Sequence, residues 1–316
     1  MAFAFIFPGQ GSQSIGMGKE LSEAFPSAKA VFQEVDDVLD QSLSKIMWEG
    51  PNEDLTLTAN TQPALMATSV AAIRALKSEF GFDLTKAKYV AGHSLGEYSA
   101  LCATDAISLA DTARLLRLRG EAMQKAVPVG AGAMAALLGA SVEDAEKAAA
   151  FGSESGICQI ANDNATGQIV LSGEVAAIET ACQFARDAGV KKAVILPVSA
   201  PFHCDLMAPA AEAMREALSD TAIHLPSVSV VNNVTARPIT TAEQIREDLV
   251  KQVTGRVRWR ETIEWMAGSD GGIDRFAEPG CGKVLTQMLK RIVKGVSGSA
   301  LSTPEALERF VNSMEG

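Results

Sequence analysis

The sequence predicts an α/β fold in two parts, a three-layer core around a parallel sheet and a smaller inserted subdomain. Short apolar runs typical of buried strands alternate with helical patterns over residues 2–128 and again after residue 200. Between these stretches the order changes to strand, helix, two strands, helix and strand, the ferredoxin-like βαββαβ pattern. We therefore expect residues 1–128 and 199–316 to form the large subdomain and residues 129–198 the small one.

The large subdomain begins with an apolar run that predicts a buried strand over residues 2–7. A glycine-rich loop follows, and helical periodicity then extends to about residue 80. We expect the next strand at 88–91, followed by helices at 97–103 and 111–126. The segment Pro128-Val129-Gly130 breaks the last of these helices and marks the start of the insertion.

The inserted subdomain carries clear helix boundaries. Ser141 is the predicted N-cap of a helix over 142–151, and Gly189 ends a second helix over 174–188. Strands are expected at 134–138, 157–161, 169–171 and 190–196, with a hairpin loop over 162–167. Beyond the insertion, the patterns predict helices at 204–218, 242–253, 259–267 and 284–292, and strands at 228–231, 273–277 and 300–301.

The composition narrows the possible partners and the compartment. Hydrophobic residues make up 47% of the chain, and the net charge of −10 argues against nucleic acid or an anionic membrane as the main partner. The five cysteines are scattered and contain no C-x-x-C pair, which argues against a disulfide framework or a zinc site. The apolar N-terminus is too short for a signal sequence, and no apolar run approaches the length of a membrane span. We therefore expect a soluble protein of the cytoplasm.

The most informative local feature is the segment Gly92-His93-Ser94-Leu95-Gly96, which lies between a predicted strand and a predicted helix. A G-x-S-x-G pentapeptide in this setting is typical of a nucleophile elbow. The turn is so tight that the positions two before and two after the serine must be glycine. The motif predicts that Ser94 is catalytic and that the three-layer core is hydrolase-like.

A serine hydroxyl needs a base to become nucleophilic at neutral pH, and the chain has only three histidines. His93 leaves the elbow in a different direction from the serine, so we expect it to pack and hydrogen-bond beneath the turn. His224 precedes a Leu-Pro pair at a strand entry, which favours a surface or structural role. His203 lies in a proline-marked loop that opens a helix, and we predict that it is the base.

Acyl transfer also requires donors aimed at the oxyanion. The backbone N–H of Leu95, directly after the nucleophile, is the expected first donor. The loop Gly9-Gln10-Gly11 after the first strand is well placed to supply the second, although a purely structural turn is also possible. A dinucleotide fingerprint is excluded, because its third glycine would fall on Ser14. From its helical setting alone, Arg119 is interpreted as a solvated cation near a helix C-terminus.

Seven short segments, taken in their order along the chain, carry a resemblance to a known family. They are Phe7-Pro8-Gly9-Gln10-Gly11-Ser12-Gln13, Thr61-Gln62-Pro63-Ala64, Gly92-His93-Ser94-Leu95-Gly96-Glu97-Tyr98, Arg119-Gly120, Ala161-Asn162-Asp163-Asn164, Pro201-Phe202-His203 and Glu278-Pro279-Gly280. No one of them is decisive, but together and in this order they resemble the malonyl-CoA:acyl-carrier-protein transacylase family over essentially the whole chain. The inserted ferredoxin-like unit matches the fold of that family.

The resemblance implies a role for each matching residue. Ser94 would be the acylated nucleophile and His203 its general base, with the N–H groups of Gln10 and Leu95 as the oxyanion hole. Arg119 would pair with the free malonyl carboxylate, which reverses the interpretation from its helical setting. The second nitrogen of the histidine would be held by a backbone carbonyl near Gln252, without an acidic third member. The implied substrate-binding residues are Arg119, Gln252, Phe202 and Asn162.

The resemblance also implies the reaction, which is transfer of a malonyl group from malonyl-CoA to the pantetheine thiol of acyl carrier protein without a metal or bound cofactor. The lack of fused synthase modules favours fatty-acid synthesis, with a polyketide-pathway malonyltransferase as the alternative. The residues alone also allow a serine hydrolase or thioesterase of the α/β-hydrolase type, or a non-catalytic acyl-binding module. An acidic carrier protein would need a basic docking patch. The candidates for it are two separate clusters, Lys191 with Lys192 and Lys283 with Lys290, Arg291 and Lys294, and the alternative is that these are ordinary solvated side chains.

Overall fold

The structure, a computed structural model, describes residues 2–198 and 200–315. The predicted subdomain boundary at Ser199 and the chain ends Met1 and Gly316 lie outside the described residues. The strands are β1 (Phe3–Phe7), β2 (Tyr89–Gly92), β3 (Gly132–Leu138), β4 (Cys158–Ala165), β5 (Gln168–Glu174), β6 (Lys192–Ile195), β7 (Val230–Val231), β8 (Arg275–Pro279) and β9 (Ser297–Leu301).

The α-helices surround these strands. They are α1 (Lys19–Ala24), α2 (Pro26–Leu39), α3 (Leu43–Glu49), α4 (Asn52–Thr56), α5 (Thr58–Glu79), α6 (Leu95–Ala103), α7 (Leu109–Lys125), α8 (Val142–Gly152), α9 (Val175–Asp187), α10 (Ala208–Asp220), α11 (Ala242–Thr254), α12 (Trp259–Ala267), α13 (Val284–Ile292) and α14 (Pro304–Glu315). In the part of the chain that the structure describes, no helix is long and apolar enough to cross a bilayer.

One of the two sheets is a parallel sheet of five strands in the order β7-β2-β1-β8-β9. Alternate side chains of its central strand β1 point to opposite faces. Phe3, Phe5 and Phe7 belong to one hydrophobic core, whereas Ala4 and Ile6 belong to a second core on the other face. Because both faces are covered by helices, the sheet is the middle of three layers, and the predicted α/β class is confirmed.

The second sheet is antiparallel, with the order β4-β5-β3-β6. Helices α8 and α9 pack on this sheet, and their alanine-rich faces share a separate hydrophobic core with residues such as Leu137 and Leu171. Ser141 begins α8 with a reciprocal capping box to Asp144, as its N-cap position predicts. The predicted βαββαβ order is therefore present as a ferredoxin-like sheet.

Strand β4 of the antiparallel sheet is bonded to Val257, which lies between α11 and α12. The N–H of Asp163 donates to the Val257 carbonyl at 3.0 Å, and the Val257 N–H donates to the Ala161 carbonyl at 2.8 Å. The buried carboxylate of Asp163 also pairs with Arg256 at 2.9 Å and with Arg260 at 2.8 Å. These contacts hold the start of the Asn162–Asn164 segment against the segment from Arg256 to Arg260.

Three expectations from the sequence were wrong in detail. Residues 162–167 are not a hairpin loop, since β4 continues to Ala165 and only two residues separate it from β5. Their polar side chains suggested a loop, but Asp163 is buried because it is paired with arginines. The predicted helix at 204–218 begins with a 3-10 turn at Asp205–Met207 before α10. The C-terminal helix α14 was not predicted, although its Phe310 ring packs against Phe5 at 5.7 Å.

Candidate active site

Ser94 lies at the carboxyl edge of the parallel sheet, in the turn between β2 and α6. Its φ angle of 53° lies in the left-handed region, which costs energy for a residue with a side chain. A Cβ on Gly92 would lie 1.9 Å from the carbonyl carbon of Gly96, and a Cβ on Gly96 would lie 2.3 Å from the Phe7 oxygen. Both positions therefore require glycine, and the predicted nucleophile elbow is confirmed as a backbone shape.

His203 lies directly beside this serine, although 109 residues separate them in the chain. The Ser94 Oγ is 2.8 Å from His203 Nε2, and His203 Nδ1 is 2.8 Å from the backbone oxygen of Gln252. A carbonyl oxygen can only accept, so Nδ1 must carry the proton and Nε2 is free to accept from the serine hydroxyl. The arrangement is a Ser-His pair whose third member is a carbonyl group.

The environment of His203 keeps its imidazole neutral. The side chain is buried, and burial together with the nearby positive charge of Arg119 lowers the pKa of His203 to about 3. A neutral imidazole is the form that accepts a proton, so His203 is available as a base at neutral pH. The structure therefore brings together the predicted nucleophile and the predicted base in a competent protonation state.

Arg119, in α7, is 1% exposed and reaches the same point from another direction. Its Nη1 donates to Gln62 Oε1 at 2.8 Å, and its Nη2 lies 3.0 Å from Gln252 Oε1 and 3.1 Å from Ser94 Oγ. Over the described ranges 2–198 and 200–315, no carboxylate forms an ion pair with it, and its Nε has no hydrogen-bond partner. Burial lowers the pKa of this guanidinium, but an arginine remains charged. The interpretation of Arg119 as a solvated cation is therefore wrong.

A cavity of about 740 Å³ opens above these groups, between the two sheets. Ser94, His203 and Arg119 line it, together with the apolar side chains of Met123 and Met134. Lining residues also come from β4, β5 and the segment after β6 in the small subdomain, namely Asn162, Asn164, Val170, Leu196, Pro197 and Val198. The cavity is large enough for a small acyl group and part of its carrier.

The predicted oxyanion donors, Gln10 and Leu95, both line this cavity. Leu95 is the first residue of α6, so its N–H has no acceptor within the helix. The neighbouring loop packs tightly on the elbow, because a Cβ on Gly9 would lie 2.6 Å from the His93 oxygen. Both residues thus line the cavity that Ser94 also lines, and the role of their N–H groups in holding an oxyanion stays a prediction.

The three other predicted substrate-binding residues have different positions. Phe202 and Asn162 are buried and line the cavity. Gln252 is 0% exposed and its amide is used by protein groups, with Oε1 accepting from Arg119 and Nε2 donating to the Ser94 carbonyl at 3.1 Å. We therefore interpret Gln252 as a residue that holds Arg119 and His203 rather than one that contacts substrate.

The other two histidines lie where the sequence predicts. His93 Nε2 is 2.7 Å from Asn164 Oδ1, and the imidazole packs edge-on against the Trp259 ring at 5.5 Å. His224 is exposed and its backbone N–H donates to Ala106. The thiols of Cys204 and Cys281 donate to carbonyl oxygens of Pro201 and Ser12, and burial raises the pKa of both.

Sequence reasoning missed two buried residues at this site. The side chain of Asn233 bridges the elbow, with Oδ1 accepting from the Ser94 N–H and Nδ2 donating to the Gly92 carbonyl, both at 2.7 Å. The carboxylate of Glu97 accepts from Gln252 and from the Asn233 backbone. One signal was available, since Asn233 lies two residues after the end of the buried strand β7, and polar residues after a parallel strand gather at its carboxyl edge.

Comparison with known proteins agrees with this geometry. The acyl transferase domain family matches residues 4–303. The malonyl CoA-acyl carrier protein transacylase of Bacillus subtilis strain 168 is 44% identical over 99% of this chain and 97% of its own length. The crystal structure of an acyl-carrier-protein S-malonyltransferase from Bartonella henselae is 54% identical, with a TM-score of 0.97 and complete coverage of both chains.

A further solved structure shows a type II polyketide synthase acyl-carrier protein in complex with its malonyl-transacylase. That enzyme is 40% identical to this chain, with a TM-score of 0.95 and coverage of 99% of this chain and 100% of its own. The family match, the near full-length identities and the shared fold lead to one conclusion. This chain belongs to the acyl transferase domain family, in the group whose members are named malonyl CoA-acyl carrier protein transacylase.

Proposed function

We propose that this chain transfers a malonyl group from malonyl-CoA to the pantetheine thiol of acyl carrier protein, through a malonyl ester on Ser94. The observation that carries the proposal is a buried arginine without a carboxylate partner in the described residues, whose Nη2 lies 3.1 Å from the Ser94 oxygen. A buried guanidinium without a counter-charge is costly. The distal carboxylate of a malonyl group supplies that counter-charge in a bidentate pair, whereas acetyl does not.

The first half-reaction acylates the enzyme. Arg119 holds the malonyl carboxylate, and Ser94 Oγ attacks the thioester carbon while its proton passes to His203 Nε2. The N–H groups of Gln10 and Leu95 stabilise the tetrahedral oxyanion. The carbon–sulfur bond then breaks, and the leaving sulfur of CoA takes the proton from His203.

The second half-reaction reverses these steps with a different thiol. His203 takes the proton of the pantetheine thiol, and the sulfur attacks the malonyl ester. The oxyanion collapses with cleavage of the bond to Ser94 Oγ, which recovers the proton. The cavity between residues 129–198 and the rest of the chain must exclude water for this acceptor to prevail. We propose these ranges as two subdomains, and we propose a cytoplasmic location and a role in fatty-acid biosynthesis.

Competition between thiol and water tests the proposed reaction against the serine hydrolase alternative. Malonyl-enzyme prepared without acceptor is expected to release malonate slowly and to transfer its malonyl group to pantetheine or holo acyl carrier protein at least about 100-fold faster, because a transferase site must exclude water. Rapid-quench analysis of malonate and malonyl thioester measures both rates. Release to water that is equally fast with and without the thiol would instead identify a hydrolase.

The carrier protein needs a surface beside the cavity mouth. Residues Val284, Leu285 and Met288 of α13 line the cavity, and the same helix carries exposed Lys290 and Arg291. Arg291 Nη1 donates to Gln168 Oε1 at 3.2 Å, which brings this helix to the β4–β5 turn of the small subdomain. We define the basic surface as Lys191, Lys192, Lys283, Lys290, Arg291 and Lys294, all exposed.

Charge reversal on the basic surface tests where the carrier protein docks. Lys290→Glu with Arg291→Glu is expected to raise the apparent KM for acyl carrier protein by roughly 3- to 10-fold, because rim charges steer encounter with an acidic partner. The apparent KM for malonyl-CoA should stay unchanged. Lys86→Glu is the matched control, because this exposed lysine precedes β2 at the opposite edge of the sheet. Equal effects on both substrates would defeat the assignment of this surface.

A further inference from the structure

Glu97 is a buried carboxyl group that no step of the proposed reaction uses. It is the third residue of α6, directly after the elbow, and it is 0% exposed. Its Oε2 accepts from Gln252 Nε2 at 2.7 Å and from the Asn233 backbone N–H at 3.0 Å. Burying a carboxyl group costs free energy, so the presence of Glu97 at this position requires an explanation, and its two contacts indicate one.

The contact with Gln252 selects one orientation of its amide. A carboxylate can only accept hydrogen bonds, so the NH₂ end of Gln252 must face Glu97. The oxygen end then faces Arg119, whose Nη2 lies 3.0 Å from it. A reversed amide would direct NH₂ against the guanidinium and oxygen against the carboxylate, and both contacts would be repulsive.

The contact with Asn233 holds the elbow itself. The backbone of Asn233 is anchored on Glu97, and its side chain bonds the N–H of Ser94 and the carbonyl of Gly92. The carboxyl group of Glu97 therefore supports the strained turn of Ser94 through Asn233, and the same group orients Gln252. Two separate paths lead from Glu97 to the reacting centre, one through Gln252 to Arg119 and one through Asn233 to Ser94.

We propose that Glu97 is a positioning residue for acyl transfer, which orients the Gln252 amide so that Arg119 is held beside Ser94 and malonyl is selected over acetyl. This inference rests on the proposed function, because the selectivity it explains belongs to the malonyl carboxylate. Burial raises the pKa of Glu97 to about 7, against the opposing hydrogen bonds and the charge of Arg119. Protonation at the unpartnered Oε1 would still leave Oε2 as an acceptor for both contacts.

The substitution Glu97→Gln tests the role with little change in shape. A glutamine can donate as well as accept, so Gln252 loses the group that selects its orientation. We expect kcat/KM for malonyl-CoA to fall by about 10- to 100-fold, because misplacement of a binding group of this kind has effects of that size. For acetyl-CoA, which has no carboxylate for Arg119, we expect a smaller loss. Equal losses for the two substrates, or no loss, would overturn the proposal.

Glu278→Gln is the matched control. Glu278 is also a fully buried glutamate, but its two oxygens accept from the backbone N–H groups of Leu285 and Thr286 at the start of α13. Loss of this carboxylate is expected to lower the melting temperature and to leave the ratio of malonyl to acetyl transfer unchanged. A Glu278→Gln variant that shifts the ratio as far as Glu97→Gln would show that any buried carboxyl group has this effect, which contradicts the proposal.

A double substitution separates action through Arg119 from independent effects. If Glu97 selects malonyl by placing Arg119, then Glu97→Gln in an Arg119→Ala background should leave the malonyl-to-acetyl ratio where Arg119→Ala alone sets it. A further fall of the same size as in the wild type would overturn this path. Glu97→Asp keeps an acceptor-only group and is expected to recover part of the selectivity that Glu97→Gln loses. An Asp variant no more selective than the Gln variant would also contradict the proposal.

The wild-type arm of this experiment tests the proposed function separately. Wild-type protein that fails to transfer malonyl would overturn the proposed reaction, and with it the basis of this inference. Wild-type protein that prefers malonyl, beside a Glu97→Gln variant with the same preference, would overturn only the role of Glu97. The melting temperature of the Gln variant is measured in each comparison to show that it is folded. If it does not fold, Glu97→Asp is used instead, with a smaller loss of the preference for malonyl as the expected result and an unchanged preference as the result that would overturn the role of Glu97.

Discussion

Replacement of Ser94 by alanine is expected to reduce malonyl transfer by at least about 10⁴-fold, because loss of the nucleophile in comparable serine enzymes has effects of this size or more. His203→Ala is expected to have an effect of about 10³- to 10⁴-fold, since the hydroxyl 2.8 Å away then has no base. The two groups act as a unit, so the double variant should be little worse than Ser94→Ala.

The measurement is the burst of CoA released on mixing with malonyl-CoA, followed by the steady-state rate of transfer. Circular dichroism of each variant controls for folding. His93→Gln is a matched control, because His93 is a partly buried histidine that also lines the cavity but pairs with Asn164 rather than with Ser94. A His203→Ala variant that retains more than about a tenth of the wild-type rate would show that the imidazole is not the general base.

Arg119→Ala is expected to change which acyl group is transferred. The loss of a buried ion pair to one substrate corresponds to about 3–5 kcal/mol, so kcat/KM for malonyl-CoA should fall by roughly 10²-fold to a few thousand-fold. Acetyl-CoA, which offers no carboxylate, should be used as well as by the wild type or better. The preference for malonyl should therefore be lost or reversed.

Arg119→Lys separates charge from shape in this prediction. A lysine keeps the positive charge but cannot form a forked pair with a carboxylate, so its preference for malonyl should lie between those of arginine and alanine. The measurement is kcat/KM for malonyl-CoA and acetyl-CoA with each variant. Equal losses for both thioesters in Arg119→Ala would mean that the guanidinium supports the site without recognising the malonyl carboxylate.

The parts of this account that the sequence could predict are those with a local signal. The elbow is one, because its G-x-S-x-G spacing reports a turn in which Gly92 has no room for a Cβ against Gly96, and Gly96 has none against Phe7 of β1. The ferredoxin-like order is another, because each helix and strand has its own periodicity. The Asn162–Asn164 segment was wrongly predicted to be a loop, because its polar side chains are paired with residues distant in the chain, among them His93 and Arg260.

The supporting contacts of the site could not be predicted from local patterns. Asn233 reaches Ser94 across 139 residues and Gln252 reaches Glu97 across 155, so the neighbouring sequence does not identify the partner of either residue. Arg119 shows the same limit, because its helical pattern suggested a solvated cation and only the family resemblance implied a buried one. Local sequence thus indicates the shape of the turn, whereas the groups that surround the turn are brought there by the topology of the sheet.

The most direct test of the central claim is the site of acylation. Wild-type protein is mixed briefly with malonyl-CoA in the absence of any thiol acceptor, and the intact mass and the modified peptide are determined by mass spectrometry. The account predicts one malonyl group on the peptide that contains Ser94, and none on Ser94→Ala. A malonyl group on another residue such as Cys281, or transfer to the carrier thiol without any acylated enzyme, would contradict it.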